Sequence, residues 1–296
     1  MLTGYCYCPD AIPLPDGRKP CTWPPSLDCQ WTDDLERAEF FFFPMDSSFY
    51  SGESLSHLPH WRGNERRHVF VHTGDTAEPL GIPSADFPSL IFRCSTHERQ
   101  FATDPGTFPW PYPVEDFGDH AAIPSEGFSF DLCFHGFPNL IRTAAVAAAR
   151  TSLNVSFGFR SAFWGFIGET EDGKNQRREM IDAMQKSRLA LAPRGGGTSS
   201  YRFYEAMSMA RIPVLISDGH ILPFRDRIPW DDLIIRIPQS SLPDVGNILR
   251  RFLGEHDDAA IVEIGKQNRA AWEKYLNRDR WPQIMAEEII KIKEEK

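Results

Sequence analysis

The chain has 296 residues, 41% of them hydrophobic and 25% charged, the balance of an ordinary soluble globular protein. That excludes a wholly disordered chain, a coiled coil and a collagen. The net charge of −9 gives no general positive field, so no nucleic-acid partner is expected and any polyanionic ligand must be held by a local site.

Residues 1–37 are rich in Pro, Cys and Trp and read as a loop-dominated arm. Its four cysteines, Cys6, Cys8, Cys21 and Cys29, are zinc ligands, two disulfides or free thiols. Their spacing lacks paired Cys-x-x-Cys knuckles, and free thiols are the plainer reading in a reducing compartment. Residues 38–44 predict a buried strand closed by Pro44; residues 68–75 and 89–94 predict two more. These runs are short, apolar and far apart, as in parallel strands buried on both faces. From 103 to 124 the density of Pro and Gly predicts no regular element and a domain boundary.

Beyond the boundary, strands are expected at 130–136, 152–157, 188–193, 212–216 and 233–237. Helices are expected at 140–150, 176–187, 200–210, 245–253 and 258–276, with a charged amphipathic helix over 281–296. Such alternation argues for an α/β, doubly wound parallel sheet. The expected organisation is an N-terminal domain over 1–122, a second domain over 123–276 and a terminal helix over 277–296. No stretch approaches the ~20 apolar residues of a membrane span, and no secretory signal opens the chain, which predicts a cytoplasmic protein as given.

One segment carries chemistry. A strand ends at Pro193, and Arg194, Gly195, Gly196, Gly197, Thr198, Ser199 and Ser200 lead into a helix. Glycines admit close approach of backbone N–H groups, and the hydroxyl residues are suited to N-cap the helix. The helix start adds unpaired donors and partial positive charge. Arg194 and Arg202 flank it and match phosphate oxygens in fork geometry. Together these features predict a diphosphate site. Glu205 lies three residues beyond Arg202, on the same helix face, within reach of ribose hydroxyls. The competing reading is an Arg202–Glu205 surface pair above a plain glycine loop. No Gly-Lys-Ser/Thr and no Gly-x-Gly-x-x-Gly is present, so neither a P-loop nor a dinucleotide fingerprint applies. Arg142 is either a second phosphate ligand or an exposed helix charge. His220, after Asp218-Gly219, either contacts the sugar or its phosphate or serves the turn.

The blocks Ser187-Arg188-Leu189-Ala190-Leu191-Ala192-Pro193-Arg194-Gly195, Ser200-Tyr201-Arg202-Phe203-Tyr204-Glu205-Ala206 and Ile212-Pro213-Val214-Leu215-Ile216-Ser217-Asp218-Gly219 occur in order. With Leu222-Pro223-Phe224, Ile228-Pro229-Trp230, the upstream Phe134-His135-Gly136 and Arg142, and Trp272-Glu273-Lys274-Tyr275-Leu276, this run resembles the exostosin family of nucleotide-sugar glycosyltransferases. The resemblance covers residues 130–276 well and is weak before 120. It implies a GT-B-like fold of two Rossmann-like domains facing a central cleft. It implies an inverting, metal-independent transferase moving a sugar from a UDP-sugar to a glycan hydroxyl. Arg142, Arg194 and Arg202 would line the donor site and Glu205 would hold the ribose. The terminal helix would cross back to the first domain. No Asp-x-Asp occurs, so no metal and no cofactor beyond the UDP-sugar co-substrate is expected. Two departures stand out. Family members are typically anchored in the Golgi lumen, which is the alternative location if an anchor has been trimmed; and the family's usual Cys is here Ala190.

Inversion needs a base on the face opposite the leaving group. It is expected at a strand's C-terminal end in the first domain. Asp75 fits best, with His72 and Asp46 as alternates; turn capping is the plainer role for each. A non-catalytic nucleotide- or glycan-binding protein with the same pocket is the alternative function. A phosphosugar enzyme on a related fold is the third.

Overall fold

Four consecutive phenylalanines, Phe40 to Phe43, are sustained only in a strand covered on both sides, and that is where they lie. The computed structural model describes residues 2–7, 27, 29–50, 55–75, 90–103, 106–161 and 170–294. Its first sheet contains β1 (Thr3–Cys6), β2 (Gln30–Trp31), β3 (Phe40–Asp46), β4 (His68–His72), β5 (Leu90–Arg93) and β6 (Thr107–Pro109), all parallel, in the order β2-β1-β3-β4-β5-β6. Phe40 and Phe42 pack with Val69, Val71 and Phe92 on one face; Phe41 and Phe43 pack with Tyr7, Phe70 and Ile91 on the other. At ~1.5–3 kcal/mol per buried side chain, those four rings alone contribute on the scale of a whole domain's net stability.

Three sequence expectations change here. The arm over 1–37 contributes β1 and β2 to the sheet, with Gly4 paired to both Trp31 and Phe40. Cys94 and Cys133 are buried free thiols, Cys6 and Cys29 are half-buried against the core, and Cys8 and Cys21 lie outside the described residues. Pro44 does not close β3. The strand runs on to Asp46 through a register shift against β4 between Phe42 and Asp46. Pro44 lies past the last β1 pair, where its missing N–H breaks no ladder on that side. The Pro-rich stretch also keeps a short edge strand, β6, ending at Pro109, as expected of proline at a sheet edge.

The second sheet contains β7 (Phe130–Gly136), β8 (Val155–Phe159), β9 (Ser187–Pro193), β10 (Ile212–Ile216) and β11 (Ile235–Ile237), again parallel, in the order β11-β10-β9-β7-β8. The helices in chain order are α1 (Glu98–Thr103), α2 (Leu140–Arg150), α3 (Glu171–Gln185), α4 (Tyr201–Ser208), α5 (Trp230–Leu233), α6 (Val245–Glu255), α7 (Asp258–Ala271) and α8 (Trp281–Glu294). Helices cover both faces. Ala145, Val146 and Leu249 pack on Leu189 and Val214 from one side, and Met180, Met184 and Ala206 pack on Cys133 and Ala190 from the other. α3 starts five residues earlier than expected because the Thr170 hydroxyl caps it at the Gly173 N–H. β8 starts three residues later than expected and ends two residues later, at Phe159, and Leu233 ends the short helix α5 rather than opening β11.

The two halves meet along a hydrogen-bonded seam. Thr198 N donates to Ser95 Oγ (2.8 Å), Glu98 N to Gly219 O (2.7 Å) and Ile221 N to Thr96 O (3.0 Å). α8 returns to this junction, where Trp281 meets Trp110 edge-on at 5.6 Å. No helix among the described residues is long and apolar enough to cross a membrane.

Candidate functional site

β9 ends at Pro193, and the chain turns through residues 194–200 before α4 begins at Tyr201. The turn closes on itself, Arg194 N bonding to Ile216 O and Gly195 N to Ser199 O. Ser200 occupies the N-cap with extended backbone, yet its side chain makes no capping bond. The expected hydroxyl cap is therefore not made, and that hydroxyl borders a cavity of about 560 Å³.

Arg202, on the first turn of α4, is only 8% exposed. Its Nη1 donates to Glu205 Oε2 at 2.5 Å and its Nη2 to the His135 carbonyl at 2.6 Å. The Arg202–Glu205 pair is thus a buried fixture of the cavity wall rather than a surface pair. Arg142 enters from α2, where Asn139 caps the helix by accepting from Arg142 N; its Nη1 donates to the Phe137 carbonyl. Arg160, at the end of β8, and Arg177, on α3, complete the wall. Arg177 pairs with Glu115 and covers the Phe117 ring at 4.8 Å. Neither Arg160 nor Arg177 was singled out by the sequence.

Among the described residues, four guanidiniums therefore face two carboxylates, Asp75 and Glu205. Burial, and then the neighbouring Arg202 charge, lowers the Arg142 pKa and brings Arg160 down to about 10. Burial and the same cations hold His135 at about 4, so its imidazole is neutral at pH 7. Cations that disfavour one another in a partly dry cleft mark a place for an anion.

The other residues of the turn serve different ends. Arg194 folds back, donating from Nε to the Gly197 carbonyl and from Nη2 to the Gly196 carbonyl, and does not line the cavity. A Cβ on Gly197 would overlap Ser95 Oγ and the Asp75 carbonyl oxygen, so this glycine admits the first domain. Thr198 sits in the seam with Ser95 and His220 Nδ1. His220 is buried, and that burial pushes its pKa down to about 3. Asp218 accepts from the backbone and side chain of Gln239. Gly197, Thr198, Asp218 and His220 all lie off the cavity.

Asp75 reaches the cavity from the loop after β4, beside Gly195 and Gly196, and Tyr112 donates to its Oδ1 at 2.6 Å. Asp46 is 4% exposed and occupied as a cap, accepting from Ser48 N, Thr73 N and the Thr73 hydroxyl. His72 is 2% exposed, its Nδ1 near the Ser47 hydroxyl, and burial drives its pKa well down. Among the three candidate bases, Asp75 alone lines the cavity.

Residues 26–252 match the Exostosin GT47 domain. Exostosin-1 of Drosophila melanogaster is 35% identical over 107 residues, 36% of this chain and 14% of that protein. Exostosin-1 of Bos taurus is 32% identical over 108 residues, again 36% of this chain and 14% of that protein. The chain thus matches about a seventh of these relatives' length. A solved glycosyltransferase from Rickettsia africae ESF-5, 9% identical, superposes with a TM-score of 0.52 over 88% of this chain and 77% of that one. The shared architecture is GT-B, two parallel-sheet α/β domains.

Proposed function

Since the chain belongs to the exostosin GT47 family, we propose that it is a glycosyltransferase domain moving a sugar from a UDP-sugar to a glycan hydroxyl, with inversion and without an essential metal. The observation that carries this reading is the convergence of Arg142, Arg160 and Arg202 at the start of α4, with Asp75 entering the same cavity from the other domain. The diphosphate lies against those guanidiniums and the helix N-terminus, and Glu205 accepts from ribose hydroxyls.

Asp75 takes the proton from the acceptor hydroxyl. The acceptor oxygen then attacks the anomeric carbon from the face opposite UDP. The C–O bond to UDP breaks, and its electron pair goes to the diphosphate. Guanidiniums fixed in advance by the His135 and Phe137 carbonyls and by Glu205 neutralise that charge without reorganising, the role a divalent ion plays elsewhere. Arg194 acts on the loop rather than on the ligand.

The test is turnover and binding together. Asp75→Asn should abolish UDP release from UDP-sugars while leaving UDP affinity intact. A protein that binds UDP but never turns over, in its native form, is the non-catalytic alternative. EDTA should leave activity unchanged; complete loss restored by added metal would overturn the metal-free mechanism.

A further inference from the structure

Tyr112 belongs to the crossover between the two sheets, flanked by Pro111 and Pro113. The Pro111 carbonyl accepts from Cys94 Sγ, and Val114 N returns to the Tyr112 carbonyl at 2.9 Å. Two prolines and these bonds leave the backbone little freedom. The ring is 1% exposed and lies between two aromatic neighbours of the opposite domain. It stacks on Tyr201 at 4.1 Å and 20°, and meets Tyr204 edge-on at 6.2 Å and 78°. Its hydroxyl ends at Asp75 Oδ1, 2.6 Å away. Asp75 itself is exposed, on a loop, where a carboxylate would otherwise turn freely.

We propose that Tyr112 is a positioning residue, which holds Asp75 in one rotamer so that Oδ1 is occupied and Oδ2 is left for the acceptor proton. The inference rests on Asp75 being the base. Oδ2 is the oxygen turned towards the donor loop: it lies 3.2 Å from where a Gly196 Cβ would stand. A base misplaced by an ångström or by a rotamer loses much of its effect. Burial, followed by the Asp75 charge, raises the Tyr112 pKa well above the phenolic value, so the hydroxyl stays a donor and does not compete for the proton. Because Tyr201 opens α4, the stack also sets the base in the same frame as the anion site. The aromatic ring supplies the placement and the hydroxyl the contact, which makes the two separable by substitution.

Four proteins test this: the native chain, Tyr112→Phe, Asp75→Asn and the double variant. UDP release is measured with UDP-glucuronate, UDP-galactose, UDP-xylose and UDP-N-acetylglucosamine, water serving as acceptor. UDP affinity is measured by calorimetry and stability by urea unfolding. Tyr112→Phe keeps the stack, so donor KM and UDP affinity should stay within about twofold while kcat falls about tenfold or more, the scale of one misplaced acid–base group. The double variant should lose no more than Asp75→Asn alone. In a parallel cycle with Asp75→Ala, which removes the acceptor oxygen that Asn would keep, the two unfolding effects should be less than additive, as for side chains in contact. Native kcat in Tyr112→Phe beside an inactive Asp75→Asn overturns the positioning role and leaves the base intact. An active Asp75→Asn overturns the base assignment instead. Additive unfolding effects overturn the contact even if hydrolysis by water is too slow to follow.

Discussion

Replacing Arg160 by Met should make the empty protein more stable and a poorer UDP binder. Burial and the nearby Arg202 hold the Arg160 pKa at about 10, against an ordinary 12.5. At ~1.36 kcal/mol per pH unit, that is ~3 kcal/mol by which the fold disfavours the charge. The cleft is open to water, and screening reduces the recoverable part to ~1 kcal/mol. Met keeps most of the apolar stem, so the packing loss is small. For a chain of this size the gain is a rise of ~2–4 °C in melting temperature. UDP binding should lose a charge-assisted contact of ~1.5–3 kcal/mol, roughly 10- to 150-fold in Kd. Thermal melts with and without saturating UDP read both effects at once: the free melting temperature rises and the UDP-induced shift shrinks. A lower free melting temperature with an unchanged UDP shift would refute the reasoning, since Arg160 would then be a structural partner and not part of an anion site.

Gly197→Ala drives a methyl into Ser95 and the Asp75 carbonyl, and should cost ~1–3 kcal/mol on the scale of core overpacking, read as a lower urea midpoint; no change would mean the loop seats differently against the first domain. Arg202→Ala should weaken UDP binding in calorimetry far more than Arg194→Ala, because Arg202 lines the cavity whereas Arg194 folds back onto its own loop and does not; equal losses would contradict the division of roles. His68 and His135 are held at about 4 and His220 at about 3, chiefly by burial. The unfolded chain therefore binds more protons below ~6.5, so these groups leave stability flat above that pH and reduce it as pH falls through ~4. Urea midpoints at pH 7.5, 5.5 and 4.5 check the sign, and a midpoint that rose on acidification would contradict it.

The alternating second half was legible because each apolar run is long enough to set its own period, and β7, β9 and β10 stand where those runs do. Where the reading slipped, a local competition decided. The run at 152–157 ends at a phenylalanine, but β8 continues through Gly158 to Phe159 to match Gly136. That two-residue shift brings Arg160 to the strand's C-terminal end, the position from which doubly wound sheets present ligands. β1 is four residues long in a Pro- and Cys-rich context, and its pairing with β3 is decided only by the sheet. Arg194 and Arg202 carry the same charge on either side of one turn; what separates them is which carbonyls lie nearest. Thr198 and His220 belong to a seam whose partner Ser95 is 103 residues from Thr198, a contact no local pattern encodes. In the sequence Tyr112 is one of seven tyrosines with no motif around it, since its meaning comes from Asp75, 37 residues away.

A crystal of the protein soaked with UDP addresses the account at its root. The diphosphate should lie within hydrogen-bonding distance of Arg142, Arg160 and Arg202 at the first turn of α4, with the ribose at Glu205. Nucleotide bound elsewhere, or a cavity that stays empty at saturating UDP, would contradict it.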